Sequence, residues 1–116
     1  MKNNMEEQLK TALSQAIGDF NNNRTLILRL AFDSGDPNAV DKIEQEYDAL
    51  RSAYFEILRR QLDNNNHLYE ELITAANSET ERLRTSVNQL NNINDIINLT
   101  TAVINLVGRI IIMLAI

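Results

Sequence analysis

Residues 83–114 carry the most regular apolar heptad in the chain, and that one feature limits what the chain can become. Leu83, Leu90, Ile97, Ile104 and Ile111 recur every seventh position, and Ile93, Thr100, Val107 and Leu114 fill the intermediate positions. Spacing of this kind places one stripe of side chains along a single helix face, the a/d seam of helices that pack side by side. Ser86 is the polar exception at the start. The same register extends backwards through Ala76, Leu72, Tyr69, Leu62 and Leu58 to Phe55.

A single helix over about 79–115 would measure about 55 Å at 1.5 Å per residue. A globule of this length has a radius of gyration near 13 Å, too small to enclose such a rod. The helix must therefore bend, project, or be surrounded by other copies. From Ile96 onward two further rows turn apolar: Ile96, Val103 and Ile110 on one flank, Leu99, Leu106 and Met113 on the other. A two-stranded seam hides only a narrow stripe. Burying a Leu or Ile stabilises by about 1.5–3 kcal/mol, so two exposed rows would weigh heavily against a marginal net stability. The expectation is that neighbouring copies supply part of the cover.

The preceding chain is also helical in pattern. Over about 4–32, Met5, Leu9, Leu13, Ile17 and Phe20 fall on one face, with Ala12 and Ala16 beside them. Beyond Asn23 the run Thr25–Phe32 is apolar at nearly every position and is assigned to the same helix, since no partner strand is visible. Residues 33–38, Asp-Ser-Gly-Asp-Pro-Asn, form the one strong loop. Gly35 suits the position just after a helix, Asp36 suits a cap, and Pro37 suits a first helical turn. A second helix is expected over about 38–63, with the alternative that it runs on to 76. Val40, Ile43, Tyr47, Leu50, Tyr54 and Ile57 form its apolar stripe. Asn64–Asn66 and Asn77-Ser78 are the two candidate breaks. Asparagine favours caps and turns, and Ser78 with Glu81 reads as a capping box.

The fold expected is therefore all-α: one domain over 1–116, an antiparallel bundle of two or three long helices with coiled-coil-like packing, its C-terminal helix the most buried. Three glycines and one proline among 116 residues leave strand-and-turn architectures little punctuation.

Chemistry is sparsely represented. No cysteine is present, which excludes disulfides and thiolate ligands. His67 is the single imidazole, too few for a histidine-based metal centre. The pairs Glu44/Glu46, Glu70/Glu71 and Glu79/Glu81 read as solvated helix faces, as do Arg51, Arg59 and Arg60 interleaved with Glu56 and Asp63. Tyr47, Tyr54 and Phe55 sit at core spacing. No phosphate loop, nucleophile elbow or zinc spacing occurs. The expected protein is not an enzyme and takes no cofactor or metal. Its net charge of −5 argues against nucleic acid as a partner.

The function expected is non-enzymatic assembly, a homo-oligomer formed through Leu83, Leu90, Ile93, Ile97, Thr100, Ile104, Val107, Ile111 and Leu114, with a helical protein partner as a further prospect. Thr100 inside that seam either fixes register or returns its hydroxyl to the preceding turn. The alternative is a helix that inserts into or anchors to a membrane through 96–116, a length that crosses a bilayer but is interrupted by Asn98, Thr100, Thr101, Asn105 and Arg109. Glu6 and Glu7 stand where the apolar run of a signal peptide would begin, so the expected location is cytoplasmic, with membrane association following from the alternative.

Overall fold

A computed structural model describes residues 3–59, 67–90 and 92–115. The described residues form five α-helices and no strand: α1 (Asn3–Asn22), α2 (Arg24–Asp33), α3 (Ala39–Leu58), α4 (His67–Asn88) and α5 (Ile93–Ala115). The all-α class holds, but five helices replace two or three long ones.

The first correction is small. The helix expected over 4–32 is interrupted at Asn23, which still accepts the Ile27 amide and donates its own amide to Asp19. Its side-chain amide also bonds the Asp19 carbonyl at 2.9 Å. An asparagine that competes for backbone partners in this way breaks a helix without reversing it.

The second correction is larger. No helix runs from 79 to 115. Asn77 and Ser78 lie inside α4, and the chain turns instead at Leu90, the one non-glycine residue with positive φ (52°) among the described residues. Asn92 then caps α5, its side-chain oxygen accepting the Asn94 amide at 2.8 Å. The rod that could not fit inside a globule is two antiparallel helices of about 33 and 35 Å. Both fit a body measuring 46 × 23 × 20 Å with a radius of gyration of 14.4 Å.

The α2–α3 turn follows from local chemistry. Gly35 takes φ +84°, open to glycine without strain. The expected cap at Asp36 and first helical turn at Pro37 are corrected: Asn38 precedes α3, which begins at Ala39, and Asp36 instead accepts the Asn38 amide at 2.9 Å within the turn. The expected second helix ends at Leu58 rather than 63 or 76. The Asn64–Asn66 break and Leu62 lie outside the described residues.

Around the bundle the order is α1, α3, α5, α4, each packed on its two neighbours, while the shorter α2 leans chiefly on α3. Side-chain pairings fix the directions. Phe20 stacks on Tyr47 and Arg24 pairs with Glu44, so α3 runs antiparallel to α1. Gln15 and Asp19 meet Arg84 while Asn23 meets Asn88, so α4 runs alongside α1 in the same direction. The α4–α5 hairpin then sends α5 parallel to α3. Consecutive helices α3 and α4 stand on the diagonal.

The core between them is built from Leu9, Leu13, Phe20, Ile27, Ile43, Leu50, Ile57, Tyr69, Ile73, Leu83, Val87, Ile96, Val103 and Ile110, all buried. Phe55 and Leu58, which the extended heptad register would place in the seam, are 53 % and 42 % exposed, because that register does not continue from α3 into α4.

Candidate interaction surface on helix α5

The residues expected to form an intermolecular seam divide into two sets. Leu83, Ile93, Thr100 and Val107 are buried inside the chain's own bundle. Leu90, Ile97, Ile104 and Ile111 are half-buried, packed against the edge of that core. The Leu114 side chain lies outside the described residues. The row that centres the core is instead Ile96, Val103 and Ile110, each fully buried. The bundle therefore meets α5 to one side of the seam's midline. One edge of the helix's apolar surface, Ile97, Ile104 and Ile111, turns toward α3. The other, Leu99, Leu106 and Met113, turns toward α4.

The expectation that Ile96, Val103 and Ile110 need a second copy for cover is thus corrected. The neighbour is α4, which folds back as a separate helix. What the chain leaves open on α5 is narrower. Ile112 is 64 % exposed and stands about 100° round the helix from Ile111, in line with Gly108 and Asn105.

The polar groups of α5 are tied down within the chain. The fully buried Thr100 hydroxyl donates to the Ile96 carbonyl at 2.7 Å, so it is bonded to the preceding turn. The Thr101 hydroxyl donates toward Glu46 Oε2 (2.8 Å) and toward the Ile97 carbonyl (3.0 Å). That bond joins α5 to α3 and gives one of the expected acidic-pair residues a structural task. Ser86, buried where α4 faces α5, has a hydroxyl without a hydrogen-bond partner among the described residues.

Two polar clusters hold the remaining helices. In the first, Arg84 Nε meets Asp19 Oδ2 at 2.8 Å, and its Nη1 meets Gln15 Oε1 at 2.8 Å. Asn88 adds a bond to the same Asp19 oxygen at 3.1 Å. The Asp19 hydrogen bond raises the Arg84 pKa above the ordinary arginine value, against the opposing effect of burial. In the second, Arg24 Nη2 donates to both Glu44 oxygens (2.9 and 2.7 Å), and these charge-assisted bonds raise the Arg24 pKa. Tyr47 lies buried between the Arg24 and Arg51 guanidinium groups, 5.9 and 5.8 Å from its ring centre, with Phe20 stacked 4.8 Å away. These arrangements fix helix positions and do not assemble a reacting group. Sequence spacing could not have located them, because Asp19 and Arg84 stand 65 residues apart. The only local sign is that each adjoins a core residue, Phe20 and Leu83.

Asp19→Ala tests the first cluster. It removes the shared acceptor of Arg84 and Asn88, and an expected loss of about 1–3 kcal/mol follows from charge-assisted hydrogen bonds at a partly buried site. Chemical denaturation of Asp19→Ala, Arg84→Ala and the double variant should show a coupling of the same sign. Additive losses would mean the pairing contributes nothing of its own.

Among the described residues no group of three or more His, Asp or Glu is placed to hold a metal. Among the described residues one stretch of helix, Ile93–Met113 within α5, is long and apolar enough to cross a membrane, and only 28 % of its most apolar window is buried in the bundle. Compared with known proteins, the chain matches no family model, no curated protein and no solved structure.

Proposed function

We propose that this protein is a non-enzymatic helical assembly module that self-associates through α5. The observation that carries the reading is the divided seam. The bundle buries the middle of the apolar surface of α5 and leaves both of its edges half-covered, Ile97, Ile104 and Ile111 on one side and Leu99, Leu106 and Met113 on the other. A single 64 %-exposed isoleucine is ordinary on a protein surface. A half-covered row of three isoleucines with an exposed fourth at its flank is a contact strip of the kind that pairs helices.

Static light scattering of the full chain in detergent-free buffer tests it. The mass should exceed the 13.2 kDa of one chain and rise with concentration. Ile112→Asp should return the mass to one chain while leaving the helical circular-dichroism spectrum unchanged, because that side chain takes little part in the intrachain core. A 13.2 kDa particle at every concentration would remove the proposal, and so would an oligomer indifferent to Ile112→Asp and to Ile104→Asp.

A second reading draws on the length and apolarity of Ile93–Met113. In it, α5 leaves the bundle and enters a lipid bilayer. Arg109, exposed in the bundle, would have to reach an interface, since a charge at mid-bilayer costs at least about 2.5–3.5 kcal/mol. Flotation of the full chain with phosphatidylcholine vesicles separates the two readings. Protein that rises with the vesicles supports the second, and protein that stays below the gradient removes it.

A further inference from the structure

Leu90 is the place where sequence pattern and backbone disagree. The seven-residue spacing passes through it without a shift: Leu83, Leu90, Ile97 on one row, Ser86, Ile93, Thr100 on the next. A chain so spaced is suited to remain helical from 83 to 111. The backbone nonetheless turns there, and the residue that carries the turn is a leucine at φ +52°. Left-handed backbone is disfavoured for side chains with a Cβ, and glycine or asparagine usually occupies it. The hairpin also needs a device that a continuous helix would not: the Asn92 side chain capping the Asn94 amide. In an unbroken helix that amide bonds the carbonyl of Leu90.

We infer that Leu90 is a hinge at which α4 and α5 straighten into one helix, so that α5 leaves its own bundle and docks between α3 and α4 of a second copy. This rests on the proposed self-association through α5: copies already brought together along the exposed edge of that helix are the ones that exchange it. The partner is a second copy because only another bundle offers the cleft that α5 already fits. Ile96, Val103 and Ile110 would bury against the same inner faces, and Thr101 would meet the partner's Glu46. The packing that α5 gives up at home is rebuilt in identical form on the other copy, so the exchange depends on the hinge alone. Relief at Leu90 and an added helical turn favour the straight form. Loss of the Asn92 cap and the entropy of joining two chains oppose it.

Because the chain has no cysteine, the test is direct. In full-length Glu46→Cys/Thr101→Cys, the two sites lie side by side across α3 and α5, as the 2.8 Å bond shows. A dimer fraction is isolated by size exclusion and treated with a short bis-maleimide. Exchange predicts two-chain species on a denaturing gel from that fraction and single-chain loops from the monomer fraction. Loops alone from the dimer fraction overturn the exchange and leave self-association through the exposed edge intact. Absence of a dimer fraction before any reagent is added overturns both.

Hinge variants give an independent readout. Leu90→Gly and Leu90→Ala remove nearly the same packing but differ in backbone preference, glycine accepting the turn and alanine the helix. The half-dimer concentration should be at least about tenfold higher for glycine than for alanine. Asn92→Ala should lower it relative to the parent chain. Equal values for glycine and alanine, with no effect of Asn92→Ala, would show that Leu90 is only a turn.

Discussion

Val103→Asp is expected to leave the chain unfolded at room temperature. Val103 is fully buried, in the row that centres the packing of α5 on its neighbours. Among the described residues no arginine or lysine occupies the inner core to receive a carboxylate there, since the buried polar residues are Thr80, Ser86 and Thr100. An unpaired buried charge costs several kcal/mol after relaxation, whether the group stays ionised or takes up a proton to avoid it. Loss of the valine packing adds to that cost. The total approaches the about 5–15 kcal/mol that separates native from unfolded states. Far-UV circular dichroism and thermal melting report it directly. A cooperative melt within a few degrees of the parent would mean that α5 does not sit in the bundle as described.

The second large effect is a difference between neighbours. Ile96→Ala should destabilise by about 2–5 kcal/mol, the range for a fully buried aliphatic truncation. Ile97→Ala should cost about half as much or less, because that side chain is only half-covered. Urea denaturation of the two variants, with slopes shared, gives the comparison. The heptad taken from sequence alone makes the opposite forecast, with Ile97 in the seam and Ile96 beside it. Reversal of the order would restore that seam as the true core line.

The pair shows how much could be read from the residues. Helical spacing alone gives the all-α class, and the α2–α3 turn is written in Gly35, Asp36 and Pro37, whose preferences are local. The turn at Leu90 is written there only in the cap residue Asn92. Neither Gly nor Pro marks it, the apolar spacing crosses it undisturbed, and the backbone bends because antiparallel packing of α4 on α5 outweighs one unfavourable φ. Ser78 and Glu81 have the pattern of a helix start yet lie within α4, since Thr80 and Leu83 are drawn into the core from an unbroken helix. The seam is displaced for the same reason. Once α4 and α5 are separate helices, each rotates to suit its own neighbours, and the midline on α5 moves from the Ile97 row to the Ile96 row. Of the candidate surface, the helix was legible and its open edge was not. Which half of an apolar stripe stays uncovered depends on what folds against the other half.

The diagonal placement of α3 and α4 bears on the order in which the molecule can be made. Helices α3 and α4 do not shield one another, and both take cover from α5, which the ribosome produces after them. Ile43, Leu50 and Ile57, with α1 and α2 to cover α3 on one side only, therefore stay incompletely buried until residues 96–110 have cleared the exit tunnel. Synthesis at about 5–20 residues per second makes that delay a matter of seconds. Over that interval the nascent chain is a sticky half-bundle, and chaperone capture or pairing with a neighbouring nascent chain competes with closure by its own C-terminal helix.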